Sequence, residues 1–186
     1  MIELEVWGPH ALFTRPDTEA PASYAVPTPS AARGIVEAIY YHPGLKWVID
    51  RIYVLHPIQF TTLHLPRHRP DESPDARGLQ DVRYVIQAHF TMTPQAAKSD
   101  NPGKFQDIVR RRMARRQSFH TPYFGRREFP AQFRSWPGGW IPAIPDTQDL
   151  GEMLYDFDYT APGGAKPLFF HAVLRRGVLE VPKLPL

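Results

Sequence analysis

Apolar residues alternate with charged ones over residues 2–6, and with mostly polar ones over residues 82–92. A period of two is that of a strand, whose side chains point to opposite faces in turn. We therefore predict a half-buried strand in each segment, with one packed and one largely polar face. Residues 47–55 and 58–63, rich in β-branched and aromatic side chains, are predicted as two further strands separated by Pro57.

Two other segments repeat apolar residues with the period of a helix. Each begins with a capping residue and a proline at the first helical position, Thr28-Pro29 and Asn101-Pro102. The first predicted helix ends at His42, because Pro43 disfavours a helical conformation in the residue before it. The second has an apolar stripe beginning at Phe105, and its last turns are nearly all arginine.

The stretch 65–79 has neither period and contains several prolines, so we predict an exposed loop there. Strands are predicted again at 153–159, 169–174 and 178–181, the last two joined by a tight turn at Arg175-Arg176-Gly177.

The order strand, helix, strand, strand, helix, strand is that of an α+β, ferredoxin-like (RRM-like) βαββαβ domain. We expect this domain in residues 1–135. A C-terminal β-sheet extension packed on it is expected in residues 136–186.

The composition narrows the classes of protein. The 186 residues include no cysteine, which excludes disulfides and thiolate metal sites. No apolar run approaches the roughly 20 residues that cross a bilayer, and no signal-peptide layout is present. We therefore expect a cytoplasmic protein with no membrane partner.

Positive charge is concentrated in residues 104–127. This segment has eight lysines and arginines and one acid, Asp107, for a net charge of +7, whereas the whole chain is +3. Arginines interleaved with aromatic residues suit a polyanion whose phosphates and bases are both bound, so we predict RNA binding.

The candidates for phosphate contacts are Arg110, Arg111, Arg112, Arg115, Arg116, Arg126 and Arg127. Those for base stacking are Phe119 and Tyr123. Not all of the arginines can face one RNA, and Arg112, near the apolar stripe, is the candidate for an internal pair.

Arg33, Glu37 and Tyr40 lie at i, i+4 and i+7 and share one face of the first predicted helix. On this face Tyr40 points outward, where it is available for chemistry. The alternative is a tyrosine that packs its ring at the helix end. Arg33 is a candidate for RNA binding, or else forms only a solvated ion pair with Glu37.

Two more side chains are candidates for chemistry. Lys104 opens the second predicted helix, where a phosphate bound near the free N–H groups would gain from its charge. His120, between Phe119 and Tyr123, has a free pKa near 6.5 and can exchange protons at neutral pH. The alternatives are an ordinary surface lysine and a histidine that caps a turn or packs on Tyr123.

Metal and cofactor motifs are weak. His64 and His68 have the spacing of helical metal ligands, but Pro66 lies between them and no zincin motif is present. Asp156 and Asp158 share one side of a predicted strand, where they either bind a cation or form a solvated edge. We assign no metal and predict no cofactor.

Eight blocks of sequence, in order over nearly the whole chain, carry a resemblance to one protein family. The blocks are 13–16, 28–40, 47–52, 81–86, 101–105, 119–123, 127–130 and 153–156. They resemble the type I-C (Dvulg-subtype) branch of the fifth CRISPR-associated (Cas) protein family, within the RAMP superfamily.

The resemblance implies a protein that cuts precursor CRISPR RNA at the repeat hairpin. It also implies that the protein stays on the 5′ handle within the Cascade complex. In that branch the catalytic residues are a tyrosine on the first helix and a Lys-His pair near the second. Tyr40 and Lys104 match, but Phe105 occupies the place of the histidine. We take His120 as its substitute, on chemistry and not on a motif.

The sequence thus predicts a metal-independent endoribonuclease that acts by attack of a 2′-hydroxyl on the adjacent phosphate. Tyr40 positions or deprotonates the nucleophile, Lys104 stabilises the phosphorane charge and His120 moves protons. The expected partners are CRISPR RNA and other Cascade subunits. Two alternatives stay open: a guide-RNA-binding subunit without catalysis, which Phe105 favours, and an architectural subunit that contacts DNA.

Overall fold

The computed structural model describes residues 1–67, 69–71 and 75–184. Within these residues the chain forms two helices and eight strands. In chain order they are β1 (Ile2–Ala11), α1 (Pro29–Ile39), β2 (Leu45–Val54), β3 (Phe60–His64), β4 (Asp75–Met92), α2 (Pro102–Arg115), β5 (Gln132–Ser135), β6 (Gln148–Asp158), β7 (Lys166–Arg175) and β8 (Val178–Glu180).

The eight strands of the described residues form one sheet in which neighbouring strands run antiparallel. Its order is β5-β1-β4-β2-β8-β7-β6, and β3 pairs with β4 off this path. Both β1 and β2 lie antiparallel to β4, which separates them, so β1 and β2 are parallel to each other. Helix α1 joins these two strands, and α2 joins β4 to β5 across β1. The fold class is α+β, as predicted.

The hydrophobic core lies between the sheet and the two helices. The alternation at the start of the chain places Leu4 and Val6 of β1 at zero exposure, in one cluster with Ile35 of α1 and Phe105 of α2. Each large aliphatic side chain buried in this way contributes roughly 1.5–3 kcal/mol. This shared core fixes the position of both helices on the same face of the sheet.

A buried carboxylate holds three strands together on the opposite face. The side chain of Glu5 is 1% exposed, and its oxygens accept hydrogen bonds from Arg83 Nε (2.7 Å) and Arg134 Nε (2.8 Å). Both guanidinium groups also lie over the ring of Trp7, at 4.6 and 5.7 Å from its centre. Burial raises the pKa of Glu5, but the two arginines outweigh burial and hold that pKa below its usual value.

The long strand β4 is confirmed, but its second face is less polar than predicted. Val85 and Gln87 on that face are buried as well, because residues 136–145 lie against it. The Ile144 N–H donates to the carbonyl of Val54 in β2 (2.8 Å), which holds this segment to the sheet.

Two boundary predictions were wrong. Helix α1 ends at Ile39 and not at His42, because Tyr40 takes an extended backbone (φ −150°, ψ 124°) and its carbonyl accepts a hydrogen bond from Trp47 Nε1 (2.9 Å). The predicted loop 65–79 is wrong over its last five residues, which pair with β3 as the start of β4. These residues lack the regular alternation of apolar and polar side chains, and their backbone hydrogen bonds to β3 hold them in the strand.

The described part of 65–79 is otherwise irregular, and His68 and Pro74 lie outside the described residues. His64 is at the end of β3, where its Nδ1 lies 2.7 Å from an oxygen of Asp75. A helical pair of metal ligands is therefore not formed at His64.

The three C-terminal strands are confirmed as β6, β7 and β8. Arg176 and Gly177 both have positive φ (46° and 75°), as in the two-residue hairpin turn that the sequence predicts. A Cβ on Gly177 would lie 2.3 Å from the Ile144 carbonyl oxygen, so the position requires glycine. Because β8 pairs with β2, the C-terminal strands continue the main sheet.

Among the described residues, neither helix has the length and apolar character needed to cross a membrane.

We expect Glu5→Gln to lower the free energy of unfolding by about 2 kcal/mol at pH 7, since it leaves two guanidinium groups without their shared charge. The folded pKa of Glu5 is lowered, so its contribution is present above the unfolded value of about 4.3 and is lost as the pH falls through the folded pKa. Urea denaturation at pH 7 and pH 3 measures both effects.

The exposed Glu19 provides the control, because Glu19→Gln changes the same chemistry outside the core. An equal stability of Glu5→Gln and wild type at pH 7 would contradict the role of the carboxylate in joining β5, β1 and β4.

Candidate nucleic-acid interface

The ring of Tyr40 is buried between the two helices, which confirms the alternative of a tyrosine that packs its ring at the helix end, and not the outward-pointing side chain. The residue is 6% exposed. Its ring stacks on Phe119 (5.9 Å between centres, 20° between planes) and packs at 6.2 Å from Phe105. The guanidinium of Arg112 lies 5.2 Å from its centre. The extended backbone at the end of α1 turns the side chain towards α2 and produces this packing.

The Tyr40 hydroxyl nevertheless reaches solvent. It makes no hydrogen bond among the described residues. A buried hydroxyl without a partner would stand out there, but the one such side-chain atom is Trp136 Nε1, so the Tyr40 hydroxyl is accessible to solvent. Burial of the ring raises the pKa of the phenol by more than the nearby positive charges of Arg112 and Lys104 lower it. The phenol therefore stays protonated at neutral pH, with cations close to it.

Lys104 lies on the first turn of α2 and is held by an acid. Its Nζ is 3.1 Å from Asp100 Oδ1, and the Asp100 side chain is only 5% exposed. Hydrogen bonds from the Ala97 N–H and from Lys104 hold the pKa of Asp100 below its usual value. An ammonium group has three donors, so two remain for a phosphate oxygen.

Arg112 bonds within the protein, as the sequence analysis predicted for this arginine. Its Nη1 donates to the carbonyl of Ile39, the last residue of α1 (3.0 Å), and its guanidinium lies 3.9 Å above the ring of Phe119. Arg112 therefore joins α2 to the end of α1 and to the loop that carries Phe119.

The other arginines of α2 divide between two sides of the helix. Residues along a helix are about 100° apart, so Lys104, Arg111 and Arg115 lie within roughly 20° of one line about 16 Å long. All three are exposed. We call this line the basic stripe. Arg110 lies roughly 120° away from it.

The remaining predicted phosphate ligands lie beyond α2. Arg116 is the helix cap, with a left-handed backbone (φ 52°) and an exposed side chain. Arg126 is paired with Glu128 at 3.5 Å. Arg127 is exposed.

Arg33, a predicted RNA ligand, instead forms ion pairs within the fold. Its Nη1 and Nη2 donate to the two carboxylate oxygens of Asp156, the second over 3.1 Å, and Asp156 is buried. Its Nε lies 3.4 Å from Glu37 Oε1. Asp156 therefore neither binds a cation nor lies on a solvated edge with Asp158, because it anchors β6 to α1. The described residues contain no cluster of three or more His, Asp or Glu side chains suited to a metal.

A groove lies beside the Tyr40 stack. Its volume is about 950 Å³, and we call it the aromatic groove. The loop after α2 borders it, held by the N–H groups of Phe119 and His120, which donate to the Ala38 carbonyl (2.8 and 3.2 Å). Its functional side chains are Glu37, Tyr41, Phe119, His120, Tyr123 and Arg127. Phe119 thus borders both the groove and Tyr40, whereas His120 belongs to the groove.

His42 is a site residue that the sequence analysis missed. Its ring lies 4.8 Å from the ring of Phe105, and its Nδ1 accepts a hydrogen bond from the Gly44 N–H (2.9 Å). Because Nδ1 accepts this bond, the ring proton is on Nε2. His42 also lies close enough to Asp100, the partner of Lys104, to contribute to the lowered pKa of that carboxyl. In the sequence, His42 follows Tyr40 by only two residues, and this spacing could have identified it as a candidate.

An α+β protein with a basic stripe and an aromatic groove is equipped to bind a nucleic acid strand. Residues 1–180 match the Cas_Cas5d family, described as CRISPR-associated protein (Cas_Cas5). The chain belongs to this family.

Two relatives and one solved structure resemble the chain over nearly its whole length. The CRISPR pre-crRNA endoribonuclease Cas5d of Mannheimia succiniciproducens is 37% identical and aligns with 97% of this chain and 94% of its own. The protein of the same name from Thermus thermophilus is also 37% identical, over 97% and 91%. A structure titled Crystal Structure of CRISPR-associated Protein is similar with a TM-score of 0.82 and 26% identity, over 98% and 91%.

Proposed function

We propose that this chain is a CRISPR pre-crRNA endoribonuclease that remains on the 5′ handle of its product. The observation that carries the proposal is the 37% identity, over nearly the whole chain, to two proteins named for that activity. The basic stripe and the Tyr40 hydroxyl beside Lys104 support it, since together they provide phosphate ligands and a place for chemistry.

The proposed reaction is attack of a ribose 2′-oxygen on the adjacent phosphorus. The O2′–P bond forms, the P–O5′ bond breaks, the 2′-hydroxyl gives up its proton and the departing 5′-oxygen receives one. The products are a 2′,3′-cyclic phosphate and a 5′-hydroxyl. The attack uses an oxygen of the RNA itself, so a metal-bound water is not required as nucleophile.

Two residues are assigned roles in this reaction. Tyr40 is protonated at neutral pH because burial raises its pKa, so its hydroxyl positions the nucleophile by hydrogen bonding and does not act as a base. Lys104 places a positive charge where the phosphorane oxygens become more negative. Asp100 fixes the direction of that charge.

Two histidines are candidates for proton transfer. His42 packs on Phe105, on which Tyr40 also packs, and lies close enough to Asp100 to affect its pKa, so it is the one that we assign. His120 borders the aromatic groove and stays the alternative. Phe105 is fully buried against His42, so an imidazole lies beside the position at which the family resemblance places one.

The sheet order and the two crossing helices support a ferredoxin-like domain in residues 1–135. We propose that residues 136–186 are its β extension. The ion pair of Asp156 with Arg33 supports a fixed position of this extension on α1. Other Cascade subunits are the proposed protein partners.

A second candidate function is a guide-RNA-binding subunit without catalysis. Phe105 in the expected histidine position and the ion pair of Lys104 with Asp100 favour it. Under this alternative the basic stripe still binds RNA, but no cut is made.

Lys104→Ala is expected to slow cleavage of a repeat stem-loop by roughly 10²–10³-fold, because one oriented charge is lost from the transition state. Binding should weaken far less, since Arg111 and Arg115 keep the stripe. Single-turnover cleavage and equilibrium binding of the same RNA measure the two effects. Equal losses in both would refute the assignment of Lys104.

Wild-type protein in EDTA is the reference for this test. Product ends with a cyclic phosphate and a 5′-hydroxyl at one site establish the reaction class and its independence of divalent metal together. Intact RNA that stays bound identifies the non-catalytic alternative. A higher affinity for duplex DNA than for the stem-loop at equal salt identifies a DNA-contacting subunit.

His42→Ala is expected to slow the same cleavage by roughly 10²-fold or more, as for loss of a general acid or base, whereas His120→Ala should change mainly binding. The pH dependence of the cleavage rate provides the second readout, because His42→Ala should remove a limb that His120→Ala retains. A loss of that limb in His120→Ala alone would transfer the role to His120.

Arg111→Ala is expected to reduce the salt dependence of RNA binding, and Arg110→Ala serves as the neighbouring control on the other side of α2. Each phosphate contact on a single strand contributes about 0.7 to the log-log slope. The slope should fall by about that amount for Arg111→Ala and stay unchanged for Arg110→Ala. Equal effects of the two substitutions would show that the basic stripe does not define the RNA path.

A further inference from the structure

The aromatic groove concentrates exposed rings that the reaction does not use. Eight large apolar side chains of the described residues are exposed, and three of them, Tyr41, Phe119 and Tyr123, border this groove, at 55%, 51% and 40% exposure. Exposed aromatic clusters of this kind mark binding sites, and base stacking on them contributes about 1–3 kcal/mol per base.

Two of these rings are free to receive a base. Within the described residues, neither Tyr41 nor Tyr123 stacks on another aromatic ring, whereas Phe119 is already packed on Tyr40. Tyr41 follows the extended Tyr40, and successive side chains of extended backbone point to opposite sides. This geometry places Tyr40 against α2 and Tyr41 in the groove.

One carboxylate borders the groove and lacks hydrogen bonds. Glu37 is 38% exposed, and its Oε1 lies 3.4 Å from Arg33 Nε without a hydrogen bond among the described residues. The Arg33 Nη groups are turned away from it, because both donate to Asp156. Burial raises the pKa of Glu37. The acceptor positions of this carboxylate therefore remain open to a ligand.

A carboxylate selects among the bases by their donors. Guanine presents two adjacent donors on its Watson–Crick edge, N1–H and the N2 amino group, which match two carboxylate oxygens. Adenine and cytosine present one amino group beside an acceptor nitrogen, and uracil presents one N–H between two carbonyl groups. Only guanine offers a bidentate match, and contacts of that kind discriminate bases by about 1–3 kcal/mol.

We propose that the aromatic groove binds an unstacked guanine of the RNA, held between Tyr41 and Tyr123 and recognised by Glu37. Arg127 at the rim is placed to bind a phosphate of the same nucleotide. Because Phe119 borders both the groove and Tyr40, this guanine belongs to a nucleotide close to the scissile phosphate. The inference rests on the proposed function for its RNA substrate, but its test does not use cleavage.

Seven-nucleotide single-stranded RNAs test the inference by fluorescence polarisation at one fixed salt concentration. Each is an oligouridine with guanosine, inosine, adenosine, cytidine or uridine at the central position. Wild-type protein should bind the guanosine probe about 5- to 100-fold more tightly than the uridine probe. Inosine keeps N1–H and lacks the N2 amino group, so it should lose about three- to tenfold.

Variants separate recognition from stacking. Glu37→Gln presents one acceptor and one donor, so it should abolish the difference between guanosine and inosine. Tyr41→Ala should weaken all five probes by a similar factor. Glu19→Gln, a change of the same type on an exposed residue outside the groove, should behave as wild type.

Equal binding of all five probes by wild-type protein would overturn the inference. So would a preference for guanosine that Glu37→Gln leaves intact. A guanosine preference in a protein that cuts no stem-loop RNA would refute the proposed endoribonuclease and leave the guanine site standing. Cleavage of stem-loop RNA by a protein that shows no preference for guanosine would refute the guanine site and leave the proposed endoribonuclease standing.

Discussion

The site depends on the packing of one aromatic ring. Tyr40 ends α1 in an extended conformation, and its ring stacks on Phe119 and packs on Phe105 while Arg112 lies over two of these rings. This packing joins α1, α2 and the following loop at a single point. The Tyr40 hydroxyl at the end of α1, the basic stripe on α2 and the aromatic groove between α1 and the following loop take their relative positions from it.

The arginines of this protein fall into two groups, those bound within the fold and those exposed on the surface. Four of them are bound by the fold: Arg33 by Asp156, Arg83 and Arg134 by Glu5, and Arg112 by a carbonyl and two rings. The planar guanidinium suits such sites because it donates several hydrogen bonds while stacking on an aromatic face. Arg111 and Arg115 are exposed. Within residues 104–127, Arg112 is bound internally and Arg126 pairs with Glu128, so the cationic surface open to RNA is smaller than the charge of that segment suggests.

In the proposed mechanism, Phe105 in the place of a histidine moves the imidazole to the segment after α1. Phe105 is fully buried and supports both Tyr40 and His42. A phenyl ring at this position contributes apolar packing that an imidazole would provide less well, while the nearby imidazole comes from the segment after α1. Lys104 is held by Asp100, and its charge lies close enough to Tyr40 to act on the pKa of the phenol.

The sequence by itself determined the strands with period-two alternation, the capped starts of both helices, the C-terminal hairpin turn and the concentration of charge after Lys104. These features are local, since they depend on side-chain periodicity and on the backbone preferences of proline and glycine. The tertiary structure alone decided that Tyr40 is buried, that Arg33 pairs with Asp156 and that His42 packs on Phe105. Each of these contacts joins residues of separate elements, and its partner is selected by packing across the fold, which spacing along the chain does not encode.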